Sequence, residues 1–301
     1  MNKRVLFSIS IVWVVSLAGG WLDAAPAKET ATLLQIEFPT GVTAGLRIDA
    51  VLTINVAQGE EAFEAISTTR LRGSFGVEAQ SGDGRVREAI FTLDSAEGET
   101  RSRAPGEEET VTPFPELPTG QPIRLRYSDG GTRVIEPAEL SAPVRSLLER
   151  LDPPDQGRDL LPAGSVDVGA RWDVPVEAFR GAFEQRVKRL SQEGEEMSLD
   201  VLDGRVTGTF ASLADGVAEV HVQGRIRVII SGVIEGQSVQ IFLEGRIRQM
   251  TLNIDVERKR LLSRRLKIEY TNSISGVDEL EGAESTMTIE ASETYDWPST
   301  R

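Results

Sequence analysis

The 301-residue chain contains no cysteine. That single absence excludes a disulfide framework, a thiol nucleophile and a thiolate metal site. Histidine is almost as scarce: His221 stands alone, between Glu219 and Gln223 on the polar positions of a strand-like run. No serine-nucleophile motif accompanies it, and a metal there would need carboxylates for every other ligand. Its position suits a solvent-facing sheet residue. Trp13 and Trp21 fall within the first 22 residues, which leaves Trp172 and Trp297, too few for an extended sugar-stacking platform. Positive charge is in deficit, with a net charge of −14. An acidic chain repels phosphate backbones, so nucleic acid is not an expected partner. Phosphate-binding and dinucleotide glycine patterns are absent as well, and no cofactor is expected.

The N-terminus reads as a targeting segment. Asn2-Lys3-Arg4 is basic, Val5 to Leu22 is apolar apart from three serines, and Ala25-Pro26-Ala27 supplies small residues for signal peptidase. Residues 1–27 are therefore expected to be a signal peptide cleaved after Ala27, giving a periplasmic or extracellular protein. Losing Lys3, Arg4 and Asp23 moves the net charge from −14 to −15. Beyond Leu22 no run is apolar and long enough to span a bilayer, so no membrane span is expected in the mature chain.

What fills the rest is alternation. From Val217 to Tyr270, apolar and polar residues exchange every second position, the period of a half-buried strand. Val220, Val222, Ile226 and Val228 share one parity of the first strand, and Ile241 and Leu243 one parity of the next. Leu46 to Val56 alternates without a break and is the cleanest strand of the first half. Ala31 to Gly41 is a candidate first strand through Leu33, Leu34, Ile36 and Phe38. Asp-Gly occurs at 83–84, 129–130, 203–204 and 215–216, each time between strand-like segments. This dipeptide favours type I′ hairpins, so an antiparallel meander is expected.

If Glu235-Gly236 is a two-residue hairpin loop, residue i faces residue 471 − i. Ile230 then pairs with Ile241, Val228 with Leu243, Arg227 with Glu244, and Arg225 with Arg246. Between Ile247 and Met250 the apolar parity switches, which calls for a β-bulge near Arg248-Gln249. Arginines recur among the polar positions: Arg225, Arg227, Arg246 and Arg248, then Arg258, Arg260, Arg264 and Arg265. The first four form a candidate anion or partner patch, against ordinary exposed salt bridging as the plainer alternative.

Ser95 to Pro122 carries Glu107-Glu108-Glu109 and five prolines and reads as a mobile loop (95–122). A short helix is expected after Ser141, with Pro143 in its first turn and Leu140, Val144, Leu147, Leu148 and Leu151 on one face. Asp152-Pro153-Pro154-Asp155 ends it and marks a seam. Two halves result, 28–152 and 160–301. The second holds another short helix from Pro175 with Val176, Phe179, Phe183, Val187 and Leu190 on one face, and Asp173 as a candidate cap.

Leu161-Pro162 with Val168-Gly169-Ala170-Arg171-Trp172, and Gly245, Asp255 and Arg260 further on, resemble the opening and later "G…D…R" pattern of uncharacterised exported bacterial β-sheet proteins. That family brings no activity with it. At the level of architecture the chain is also similar to bacterial lipoprotein-carrier proteins, whose open curved sheet wraps a helix and holds acyl chains. The expected fold is α+β and β-dominated: two curved, open-barrel-like antiparallel meanders, each with a packed helix. The expected function is a non-enzymatic envelope binding or interaction module. Its ligand would be apolar or lipid-like and would lie on Val220, Val222, Ile226, Val228, Ile241 and Leu243; another envelope protein is the other expected partner. The alternatives are a secreted hydrolase working through a carboxylate pair and a structural surface protein.

Overall fold

A computed structural model describes residues 31–58, 61–128, 131–149, 151, 153–181, 183–184, 187, 196–234, 237–276 and 284–298. The signal-peptide reading of residues 1–27 lies outside these, as do the turn residues Asp129-Gly130 and Glu235-Gly236.

Six strands come first: β1 (Thr43–Gln58), β2 (Glu61–Gln80), β3 (Val86–Arg103), β4 (Thr110–Pro113), β5 (Pro122–Ser128) and β6 (Gly131–Glu136). Helix α1 (Ala142–Leu148) and a 3-10 segment (Pro154–Leu160) follow. The second series is β7 (Arg171–Val174), β8 (Glu196–Ala214), β9 (Val217–Ile234), β10 (Gln237–Asp255), β11 (Arg260–Ser275) and β12 (Glu284–Asp296). All twelve belong to one open antiparallel sheet, in the order β6-β5-β3-β2-β1-β12-β11-β10-β9-β8-β7, with β4 paired to β3.

This overturns the expectation of two meanders, each with its own helix. The first and last long strands pair with each other, from Gly45 opposite Asp296 to Ala57 opposite Glu284. Two separate sheets would leave β1 and β12 as long edges with unpaired N–H and C=O groups. Joining them removes both edges and places two short strands, β6 and β7, of 6 and 4 residues, at the ends of the strand order. Helical residues are few, and the apolar side of the sheet forms one contiguous core.

The local readings fare differently from one another. The β9–β10 register is the one expected, with Ile230 opposite Ile241, Val228 opposite Leu243, Arg227 opposite Glu244 and Arg225 opposite Arg246. The bulge is present too: one extra residue separates Ile247 from Met250 against both β9 and β11. Asp215-Gly216 makes a tight turn with φ of 50° and 78°, the left-handed pair a type I′ hairpin requires. Asp203-Gly204, by contrast, lies inside β8 opposite Arg227 and Ile226. There the backbone pairing of two long strands overrides the local turn preference.

Ala31–Gly41 is not a regular strand. It makes two single bridges, Thr32 with Val166 ahead of β7 and Thr40 with Val77 of β2, and drives Leu34, Ile36 and Phe38 into the core. Strand β3 continues through Ser95–Arg103, past the end of the apolar alternation, because β2 on one side and β4 on the other satisfy its backbone. Helix α1 follows Ser141 as expected, although the Ser141 side chain makes no capping hydrogen bond. Val144 and Leu148 are buried on the sheet, and Leu140, Leu147 and Leu151 pack around them. In the second half Val176–Phe179 is a 3-10 turn entered from Pro175, followed by helical residues at Arg180, Gly181, Phe183, Glu184 and Val187. Asp173 sits in β7 and caps nothing.

Candidate functional site

The site forms where the two halves of the sheet meet. One rung crosses five strands: Leu252 on β10, Arg264 on β11, Glu293 on β12, Ile48 on β1 and Leu71 on β2. Three members are aliphatic and two are charged. The charged pair is buried with the rest, at 7% exposure for the Arg264 side chain and 4% for Glu293.

Arg264 meets Glu293 in a forked arrangement. Its Nη2 donates to Oε1 at 2.7 Å and to Oε2 at 2.8 Å, and Nε donates to Oε2 at 3.2 Å. Two residues along β12, the Tyr295 hydroxyl donates to the same Oε2 at 3.1 Å. Burial, and then the neighbouring Glu293 carboxylate, push the Tyr295 phenol well above its ordinary pKa, so it stays a neutral donor. The Tyr295 ring is held by Phe38 and Phe75 at 5.8 and 6.0 Å in edge-on contacts, and it stacks on Trp297 at 6.2 Å. Arg260, 9% exposed, lies over that Trp297 ring at 5.1 Å.

Above this floor is a cavity of ≈ 50 Å³. Its sheet wall is made by Leu46, Ile48 and Leu71 with Phe91, Leu93 and Ile123 from β3 and β5. Its cover is made by Leu147 and Leu148 of α1, Leu151 and Pro154 behind it, and Phe114 and Leu117 after β4. Of its lining residues, Glu293 alone carries a carboxyl and Arg264 alone a cation. By this measure a water needs roughly 10–15 Å³, so the cavity takes a few waters or the end of an alkyl chain.

Local chemistry positions the cover. Arg145 of α1 donates to the Ala138 carbonyl at 2.7 Å, and Thr132 on β6 donates to the Leu151 carbonyl at 2.7 Å. The loop carrying Phe114 and Leu117 is tied at both ends, by Phe114 N–H to Gly98 O at 3.0 Å and Gly120 N–H to Leu93 O at 2.7 Å. Behind α1, the 3-10 segment is fastened to the β2–β3 hairpin. Arg85 Nη1 donates to Asp159 at 2.8 Å, and Asp155 accepts the Val86 N–H at 3.1 Å. Asp155 is 2% exposed, and that burial raises its carboxyl above the ordinary aspartate value.

The residues singled out from sequence lie elsewhere. Val220, Val222, Ile226, Val228, Ile241 and Leu243 are all on the apolar side of β9 and β10, buried to between 0% and 8% exposure, and none lines the cavity. Arg225, Arg227, Arg246 and Arg248 are exposed on the opposite side. Arg227 pairs with Asp203, Arg248 with Glu269 at 2.6 Å, and Arg225 lies 3.8 Å from Glu244. Among the described residues Arg246 has no carboxylate within ion-pair distance. His221 Nε2 lies 2.5 Å from Glu219 Oε1 on the same polar side.

Arg260 and Arg264 do not belong with the exposed arginines. Both are buried, which corrects their assignment to the polar face. The signal was present in the alternation: Arg264 shares its parity with Leu266, Ile268 and Tyr270, and Glu293 shares its parity with Ile289, Ala291 and Tyr295. A charge on the apolar parity of each of two neighbouring strands marks a buried pair.

No protein-family model and no curated protein matches this chain. Among solved structures it is similar to one described as "Lipid-protein interactions in lipovitellin", at 9% identity and a TM-score of 0.36. The match covers 87% of this chain and 25% of that one, so the chain spans about a quarter of its length. A likeness at that score carries no argument about fold or function.

Proposed function

We propose that this protein is an exported, non-enzymatic binding module that takes the alkyl end of a lipid-like ligand in the cavity beneath α1. The observation that carries the reading is the cavity itself. Apolar side chains from β1, β2, β3 and β5 face apolar side chains from α1 and the Phe114–Leu117 loop, with space left between them. Sheet and cover are separate elements of the chain. A longer alkyl chain would require α1 and the Phe114–Leu117 loop to shift, at the cost of the bonds that tie the loop to β3, Phe114 N–H to Gly98 O and Gly120 N–H to Leu93 O.

The probe is N-phenyl-1-naphthylamine, an uncharged dye that fluoresces in apolar surroundings. Saturable enhancement is expected with the folded protein. Leu71→Trp fills the cavity from the sheet side and should abolish most of the signal, whereas Phe242→Ser on the outer side of β10 should leave it intact. Enhancement that appears only as urea unfolds the chain, or that Leu71→Trp leaves unchanged, would sink the reading.

Export rests on the basic, apolar and small-residue pattern of residues 1–27. Expression in a Gram-negative host should yield a soluble periplasmic form whose N-terminal sequence begins at Lys28. Retention of the full chain in the membrane fraction would overturn it.

A further inference from the structure

We infer that Phe114 is the gate of this cavity, and that the ligand is a single-chain amphiphile whose tail passes between Phe114 and α1 while its head stays outside. This rests on the cavity being the ligand site. Solvent reaches the lining chiefly at Phe91, Phe114, Leu147 and Leu151, which are half-buried, whereas every other lining residue is buried. Phe91 is fixed in the sheet. Its backbone pairs with Phe75 on one side and Ile123 on the other, and its ring lies 5.0 Å from that of Phe75. The other three belong to the cover, Phe114 on the loop after β4 and Leu147 and Leu151 on or just behind α1. The wall is therefore thinnest where the loop meets the helix.

Of the two sides, the loop is the one that yields. Side chains from several elements fasten α1 and the chain behind it: Arg145 to the Ala138 carbonyl, Thr132 to the Leu151 carbonyl, Arg85 to Asp159, and Asp155 to the Val86 N–H. The loop is tied to β3 by Phe114 N–H at one end and Gly120 N–H at the other. Pro113, Pro115 and Pro118 have no N–H to give and hold φ at about −65°. Each also keeps the residue before it extended, which covers Thr112, Phe114 and Leu117. So stiff a segment swings as an arm. Releasing Phe114 N–H from Gly98 O frees it, with Gly120 left as the pivot. β4 is exposed along its whole length, so both freed groups meet water and opening costs little. In the closed position the Phe114 ring rests on the β3 backbone, where a Cβ added to Gly98 would stand 3.3 Å from its Cδ2. Volume then sets the ligand class. A cavity of ≈ 50 Å³ takes one alkyl end and leaves no room for a second. The head does not follow the tail inside, so its bulk is free to vary.

Stopped-flow mixing of the mature protein with N-phenyl-1-naphthylamine measures the gate. Phe114→Ala should speed association about tenfold, and Phe114→Leu by less, because a closed gate holds association below the encounter rate. Leu93→Ala enlarges the cavity from the buried sheet wall; it should change dissociation and keep association within about twofold of the unaltered protein. Equal association rates for Phe114→Ala and the unaltered protein, or an equal gain for Leu93→Ala, overturn the gate and leave the cavity as a ligand site. If Phe114→Ala does not fold, Phe114→Leu carries the comparison on the same terms. The ligand class is tested by displacing the dye with decan-1-ol and with decyl maltoside, both kept monomeric. The maltoside head is too bulky to enter, and both molecules bury the same tail, so they should displace at concentrations within about fivefold of each other. A maltoside weaker than that overturns the ligand class. Failure of the dye to bind the folded protein overturns the parent reading instead.

Discussion

Arg264 and Glu293 face each other across β11 and β12 in direct register, next to the apolar inward positions Leu266 and Ile268 on one strand and Ile289 and Ala291 on the other. Such a pair is a poor source of net stability, because two desolvation penalties offset the attraction between the charges. It is a strong constraint all the same, since removing one partner strands the other.

Glu293→Ala is accordingly expected to lower unfolding stability by about 3–5 kcal/mol, and Arg264→Ala by a similar amount. Replacing both with leucine should cost far less than the sum and is expected to be near neutral or stabilising by about 1–4 kcal/mol. Urea unfolding of the two single variants and the double variant measures the coupling. Single variants that each cost under about 1 kcal/mol would show that the pair is not buried as described.

Gly208 lies under the Trp172 ring. A Cβ there would stand 2.2 Å from Trp172 Cε2, too close for the ring to stay. Gly208→Ala should expel the indole and break its hydrogen bond to the Leu160 carbonyl, 2.9 Å long. The expected cost is about 1–3 kcal/mol, with tryptophan emission moving to the red. In a Trp172→Ala background the same substitution should cost little, and a penalty that persists there would refute the steric account.

Gly216 isolates the opposite effect. Nothing lies within 4 Å of a Cβ added to it, yet its φ is +78°. Gly216→Ala is therefore a conformational test without a steric one, and about 1–2 kcal/mol should be lost. Asp215→Gly, at φ of 50°, should cost little. Equal stability of Gly216→Ala and the unaltered protein would mean the turn is not of the I′ kind.

Asp155 predicts a pH dependence. Its folded pKa lies above the unfolded value of 3.8, chiefly because burial disfavours the charged form. On acidification the folded state takes up this proton first. The stabilisation is fully present below about 3.8 and is lost as pH rises through the folded value. Asp155→Asn keeps an acceptor for the Val86 N–H and cannot titrate. The stability of that variant relative to the unaltered protein should improve as pH rises above about 4 and level off once the folded carboxyl has ionised. Urea midpoints at several pH values measure this, and a constant difference would exclude a raised pKa at Asp155.

Much of the second half was legible because its determinants are local. A two-residue loop fixes which residue of β9 meets which of β10. One parity slip between Ile247 and Met250 then implies an inserted residue. Helix α1 was legible for the same reason: Pro143 sits at its N-terminus, and leucines spaced for one face follow. The errors arose where a local preference met a distant partner. Asp203-Gly204 favours a turn, but Arg227 and Ile226 hold it in a ladder. Ser95–Arg103 has little apolar character, but neighbours on both sides satisfy its backbone.

Taken alone, the sequence determined the strand character of the chain, the register of the β9–β10 hairpin and the inward parity of β1, β9 and β10. Those follow from a period of two and from turns of fixed length. It could not determine that Gly45 pairs with Asp296, because nothing in either strand names a partner some 250 residues away. Only the folded sheet decides which strands hide their edges against each other. That choice brings Arg264 and Glu293 onto the Ile48–Leu71 rung and sets them under α1. The charges on the apolar parity were in the sequence from the start; the cavity above them exists because the first and last long strands are neighbours.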